Sequence, residues 1–110
     1  MPSVNIYTAE KNAQELKTII NELKELIAKK LSCKDINLKS NEISIRIIIP
    51  SVSFGQISEI EVVIVAHAYP ERVRDQDKIC LEIKNFLTSK INNIGSIYVW
   101  LQLSELGHSE

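Results

Sequence analysis

The chain opens Met1-Pro2-Ser3. Once Met1 is removed, such a start presents a secondary amine held on a stiff ring. An α-amino group titrates at ~7.7–8.0 when unperturbed, and burial or a nearby cation lowers that value. A group of this kind takes and returns a proton near neutral pH, which suits acid–base work beside a carbonyl. With Met1 attached, the same nitrogen is a tertiary amide and is not basic. The dipeptide alone means little, since many proteins begin this way. Arg46 is a second candidate, as the one cation in Ser44-Ile45-Arg46-Ile47-Ile48-Ile49. An unpaired charge there would be costly if buried, and a guanidinium offers a planar fork to a carboxylate. An edge position open to solvent, or an ion pair with a neighbouring subunit, would account for it as well.

The remaining reactive side chains read as structural. His67 lies near the end of an apolar run, where a hydrogen-bonded structural histidine fits, and His108 lies in a polar tail. Lys11, Lys34, Arg72 and Arg74 read as solvated surface charges. Cys33 and Cys80 stand in no CxxC or metal-ligand spacing and read as reduced, incidental thiols. There is no Ser-His-Asp pattern, phosphate loop or metal-binding cluster.

The elements that must position Pro2 and Arg46 are legible from periodicity. Residues 3 to 7 alternate as a short strand. Ala13, Leu16, Ile19, Ile20, Leu23, Leu26, Ile27 and Leu31 then form one apolar helical stripe. Asn12 with Glu15 makes an N-cap pair, and Thr8 offers an earlier cap. Ser32 to Asn41 is polar and breaks the helix. Ile43, Ile45, Ile47 and Ile49 alternate along a second strand, and Ser51 to Ser58 reads as a loop. Ile60 to Ala68 is apolar on both faces at its centre, as expected of an interior strand. A second helix is expected from about Asp75, with Ile79, Ile83, Phe86, Leu87 and Ile91 inward and Asn93 and Gly95 at its end. Ser96 to Leu103 closes the pattern, with Ile97, Val99, Leu101 and Leu103 on one face and Tyr98, Trp100 and Gln102 on the other.

The order is therefore strand, helix, strand, twice over: an α+β chain of duplicated β-α-β units, with a four-stranded mixed sheet and two helices on one face. With 110 residues it makes a single domain over 1–110, with halves at about 2–50 and 59–103 and a polar tail at 104–110. Ser44-Ile45-Arg46-Ile47-Ile48-Ile49 lines up with Ser96-Ile97-Tyr98-Val99-Trp100-Leu101. Two helices cover one face of such a sheet. The other would expose Ile48, Val63 or Ile64, Tyr98 and Trp100, more apolar surface than monomers usually show, so a partner subunit is expected. Hydrophobic residues at 45% and a net charge of -1 describe a globular chain without an electrostatic footprint for nucleic acid. No apolar run reaches the ~18 residues of a membrane span. The start lacks the layout of a secretory signal, so a cytoplasmic home is the expectation.

With this layout on view, the chain resembles the tautomerase superfamily over roughly Pro2 to Leu103, in the form where one chain carries both halves. Macrophage migration inhibitory factor and 5-carboxymethyl-2-hydroxymuconate isomerase are of this form, and the 4-oxalocrotonate tautomerases resemble a single half. The Met-Pro start resembles the family's exposed amino-terminal proline. Ser44 to Ile49 resembles the Ser-Val-Arg-Val-Ile-Ile stretch whose arginine binds a substrate carboxylate. Phe54-Gly55 resembles a loop whose aromatic ring lines the pocket. Arg74 resembles a helix-opening arginine, Lys34 sits where one branch has a pocket lysine, and Tyr98 sits where that branch lends a tyrosine from a neighbouring subunit. The chain departs from the family in opening its first helix with Lys11-Asn12 instead of arginine, in carrying Trp100 where that branch has asparagine, and in lacking its CxxC.

The resemblance implies a homotrimeric tautomerase or isomerase acting on a small 2-oxo or 2-hydroxy-unsaturated carboxylate. Pro2 would be the catalytic base, and Arg46, Lys34, Arg74, Tyr98 and Phe54 would bind substrate, with no cofactor or metal. Its implied partners are the small carboxylate and further copies of itself, with no nucleic acid and no membrane. Two other readings stay open: a non-catalytic binding protein of the same fold, and an unrelated ferredoxin-like ligand-binding domain. Strand connectivity separates the last.

Overall fold

The computed structural model describes residues 2–55, 58–92 and 94–105. Asn93, His108 and most of the expected tail lie outside the described residues. Strand β1 spans Ser3–Thr8, helix α1 Glu10–Leu31, strand β2 Ser44–Ile48, strand β3 Ile60–His67, helix α2 Pro70–Arg74, helix α3 Gln76–Lys90 and strand β4 Ile97–Ser104. A short 3-10 turn at Ser40–Glu42 leads into β2.

The sheet order is β2-β1-β3-β4. Strand β1 runs parallel to β2 with Asn5 opposite Arg46, and antiparallel to β3 with Asn5 opposite Val63. Strand β3 runs parallel to β4, with Val63 opposite Trp100. Each β-α-β unit thus pairs its own two strands, and the halves meet along β1 and β3 about an approximate internal two-fold. A ferredoxin-like domain splits its β-α-β units, so this connectivity rules that reading out. As expected from its two apolar faces, β3 is an interior strand.

The alternation of each strand decides what the helices cover. Val4, Ile6, Ile60, Val62, Ile64, Ala66, Ile97 and Leu101 are buried against Leu16, Ile19, Leu23, Ile27, Leu31, Ile79, Ile83 and Leu87. Burying these aliphatic side chains supplies the main driving force for the fold, at about 1.5–3 kcal/mol for each large one. The other face carries Asn5, Tyr7, Arg46, Ile48, Glu61, Val63, Val65, Tyr98 and Trp100, and among the described residues no helix lies on it.

Three local expectations are corrected. Helix α1 begins at Glu10 after Ala9, which provides no side-chain cap. Asn12 is buried inside its first turn, and the Thr8 hydroxyl donates to the Glu59 carbonyl at 2.9 Å, tying β1 to the segment before β3. The second helix is two helices. Pro70 starts α2 five residues ahead of Asp75, because its fixed φ suits a first helical position, and the chain then bends at Asp75. Ile49 falls outside β2 and is half exposed, since Pro50 follows it and cannot donate to the sheet ladder.

Candidate functional site

Pro2 stands immediately before β1 and is buried, in phase with Val4, Ile6 and Thr8 on the helix-facing side. Its carbonyl accepts a hydrogen bond from the Ser44 amide at 3.4 Å, at the start of β2. The antiparallel register that sets Ser3 opposite Val65 places Pro2 beside Ala66 near the end of β3. Pro2 is therefore held between two strand ends, in the interior of the sheet.

The surroundings of this end are organised by Arg72. Although charged, it is only 3% exposed. Its Nε donates to the Leu31 carbonyl at 2.8 Å and its Nη1 to the His67 carbonyl at 3.0 Å. Its guanidinium lies 4.8 Å from the centre of the Tyr69 ring, which in turn meets His67 edge-on at 4.7 Å. One side chain thus joins the last turn of α1 to the end of β3. Arg72 is not the solvated charge expected, because α2 turns it inward and leaves Val73 exposed. Hydropathy predicts the opposite, so no sequence signal marks it. Close by, burial pushes the Cys33 thiol above its ordinary pKa, with Arg72 opposing and Glu71 reinforcing the shift. Among the described residues, no group of three His, Cys, Asp or Glu is gathered to hold a metal ion.

The other candidates divide between the two ends of the sheet. Lys34 sits exposed in the turn closed by the Cys33–Ile36 bridge just past α1, at the Pro2 end. Arg74 closes α2 at the same end. It is exposed and forked onto the Asp75 carboxylate at 3.2 and 3.0 Å, which holds that carboxyl below its usual range. Arg46 is exposed on the open face beside Asn5, three residues along the sheet from Pro2. Among the described residues it makes no ion pair. Phe54 is 89% exposed beyond β2, next to Gly55, whose φ of +88 favours glycine. Tyr98 is half exposed opposite Glu61, and Glu61 stands opposite Tyr7 at the far end of β1. Five residues of extended strand, about 16 Å, separate that end from Pro2. One chain therefore gathers Pro2, Lys34 and Arg74 at one end and leaves Phe54 and Tyr98 at the other.

A cavity of about 240 Å³ lies at this far end, lined by Tyr7, Thr8, Lys11, Asn12, Pro50 and Glu59 among others. Asn12 and Asn5 were not singled out as binding residues from the sequence. Asn5 Oδ1 is buried with no hydrogen-bond partner among the described residues.

No protein-family model and no curated protein matches the sequence. Solved structures do resemble it in fold. A macrophage migration inhibitory factor-like protein from Entamoeba histolytica is 15% identical with a TM-score of 0.60, covering 96% of this chain and 88% of that one. The macrophage migration inhibitory factor of Trichinella spiralis is 14% identical with a TM-score of 0.57, over the same shares. A fused 4-OT, described as a wild-type symmetric trimer, is 16% identical with a TM-score of 0.54, covering 94% and 86%. At these identities the likeness is one of fold, which this chain shares with these macrophage migration inhibitory factor and 4-OT structures along nearly its whole length.

Proposed function

We propose that the chain, once Met1 is removed, is a cofactor-independent tautomerase or isomerase acting on a small 2-oxo or 2-hydroxy-unsaturated carboxylate. The observation that carries this reading is Pro2, buried at the foot of an interior strand in a sheet of this topology. In the enolising direction the Pro2 nitrogen accepts the proton of the carbon beside the ketone. The C–H electron pair becomes the C=C bond while the carbonyl oxygen takes up a proton, and ketonisation is the reverse. Burial favours the neutral amine that this step requires.

Lys34 and Arg74 supply positive charge at the Pro2 end. Arg46, Phe54 and Tyr98 lie on the open face or at the far end, so they reach a Pro2 site only from a neighbouring subunit. The proposal therefore includes a homotrimer, supported by the uncovered apolar sheet face and by the trimeric fused 4-OT. No helix among the described residues is long and apolar enough to cross a membrane, and a cytoplasmic location belongs to the same proposal.

The test is ketonisation of phenylpyruvate by protein whose mass confirms loss of Met1, beside Pro2→Ala. A fall of about a hundredfold or more in kcat/KM is expected, the scale of a general acid–base contribution. An inactive processed protein would overturn the reading in favour of a binding protein of the same fold. One observation favours that second reading: within a chain, Pro2 is buried on the helix side while Arg46 projects from the opposite face.

A further inference from the structure

We infer that Arg72 holds the Pro2 amine uncharged at neutral pH, as a buried cation set beside the strand end where Pro2 begins. Its placement follows from register. With Ser3 opposite Val65, Pro2 lies opposite Ala66 and its nitrogen lies toward His67. Residues facing each other in an antiparallel ladder are about 5 Å apart. The His67 carbonyl in turn accepts from Arg72 Nη1 at 3.0 Å. Pro2, Ala66 and Arg72 are all buried, and Pro2 and Ala66 face the helices. The guanidinium therefore stands on the order of 10 Å from the Pro2 nitrogen. At an effective dielectric of about 20, a unit charge at that distance moves a titration by about one pH unit. Arg72 would thus be a positioning residue, acting on the reaction through Pro2.

The charge is fixed and uncancelled. A guanidinium stays charged throughout the working pH range. Carbonyls hold this one, the Tyr69 ring lies against it, and among the described residues it forms no ion pair. Other charges at this end count for less. Lys29 and Lys34 at the end of α1, Asp35, His67 and Glu105 are exposed, where water and salt screen them. Lys30 is paired with Glu82 and Arg74 with Asp75, and Arg46 is on the opposite face. Burial keeps the Cys33 thiol protonated, so half-buried Glu71 is the main opposing charge.

The internal two-fold gives independent support. Helices α1 and α2 begin at Glu10 and Pro70, the same interval that separates Lys30 from Lys90 and Glu22 from Glu82. The third residue of each is buried, Asn12 at 5% exposure and Arg72 at 3%. Ser44 pairs with Ser3, and its counterpart Ser96 accepts from the Glu59 amide at 3.0 Å, so Ser58 corresponds to Pro2. Ser58 and Asn12 line the far-end cavity together. Where the strand is entered from a proline that can become an amine, the buried helix position carries a cation. Where it is entered from a mid-chain serine, with nothing to titrate, that position carries a neutral amide. Burying a charge is costly, and of the two ends it is buried at the one where an amine can feel it.

This inference rests on the role proposed for Pro2 for its catalytic consequence, but the amine can be titrated without turnover. We would label the prolines with 15N in protein whose mass confirms loss of Met1 and follow the Pro2 nitrogen shift against pH. Pro50 and Pro70 are amides and serve as references that do not titrate. Wild type should titrate below the ordinary ~7.7–8.0 of an α-amino group. Arg72→Met should raise the value by about one unit, because the protonated amine is no longer repelled. Arg72→Lys keeps the charge and should restore most of the difference. Tyr69→Leu loosens the same cluster, keeps the charge and should leave the wild-type value in place. If Arg72→Met gives no folded spectrum, Arg72→Gln, which loses the charge and keeps a donor for one carbonyl, takes its place. The inference is overturned by a wild-type value at or above the ordinary range, or by a neutral substitution that leaves the value unchanged. A rise that Arg72→Lys fails to reverse, or that Tyr69→Leu reproduces, also overturns it, since looser burial would then be the cause. An inactive protein whose Pro2 still follows Arg72 sinks the proposed function alone. An active one whose Pro2 ignores Arg72 sinks this inference alone.

Discussion

Arg72 places a full charge in the interior and satisfies it with backbone. The Leu31 and His67 carbonyls accept from its two nitrogens and the Tyr69 ring lies against its guanidinium. The Leu31 carbonyl belongs to the last turn of α1, where a cation is also favoured by the helix dipole. Arg72→Met keeps much of the stem and removes the charge and both hydrogen bonds. It is expected to lower unfolding free energy by about 2–3 kcal/mol, read from urea denaturation. Arg72→Lys should recover only part of that loss, because an ammonium lacks the fork that reaches two carbonyls at once. The sequence offers no hint of this role. Arg72 and Arg74 look alike beside Glu71 and Asp75, and only the inward turn of α2 separates a buried tie from a surface charge. Pro2 and Arg46 were legible as candidates by type and place, whereas the distance between them was not.

Between elements, two ion pairs bridge α1 and α3. Lys30 pairs with Glu82, and Lys90 pairs with Glu22 at 3.2 Å. Each lysine lies in the last turn of its helix, and each glutamate lies eight residues before the lysine of its own helix. The internal two-fold therefore exchanges one pair for the other, a duplication visible in charges as well as in strands. Lys30 holds the Glu82 carboxyl below its usual range, with Lys78 and Lys29 adding to the effect. A carboxylate depressed in the folded state contributes stability above its unfolded pKa and loses it as pH falls through the folded value. The melting temperature of wild type should thus fall more steeply between about pH 5 and pH 3 than that of Glu82→Gln. Equal slopes in the two proteins would show that the pair does nothing for folding. The pair is partly open to solvent, so the difference should be small and should shrink with added salt.

At the scale of the whole molecule, the open sheet face is the unfinished part. Tyr98 and Trp100 are each more than half exposed there, near half-buried Val63 and Val65, and Asn5 Oδ1 is buried without a partner among the described residues. If this face is the subunit interface, wild type should run by light scattering at about three times the 12.5 kDa chain mass. Trp100→Glu, a charge in the middle of the apolar patch, should then run as a monomer with unchanged far-UV circular dichroism. A wild-type monomer at high concentration would remove the trimer and, with it, any site completed across subunits. The sequence by itself determined the order of the four strands and two long helices, the duplication and the inward stripes of α1, α3 and β4, because periods of 2 and 3.6 are local properties of side-chain direction. Only the tertiary structure decided which end of the sheet each candidate occupies. Strand register and chain direction put Lys34 with Pro2, Phe54 and Tyr98 at the opposite end, and Asn12 and Ser58 around one cavity. Those neighbours are far apart in the chain, and nothing in local periodicity encodes which strand lies beside which.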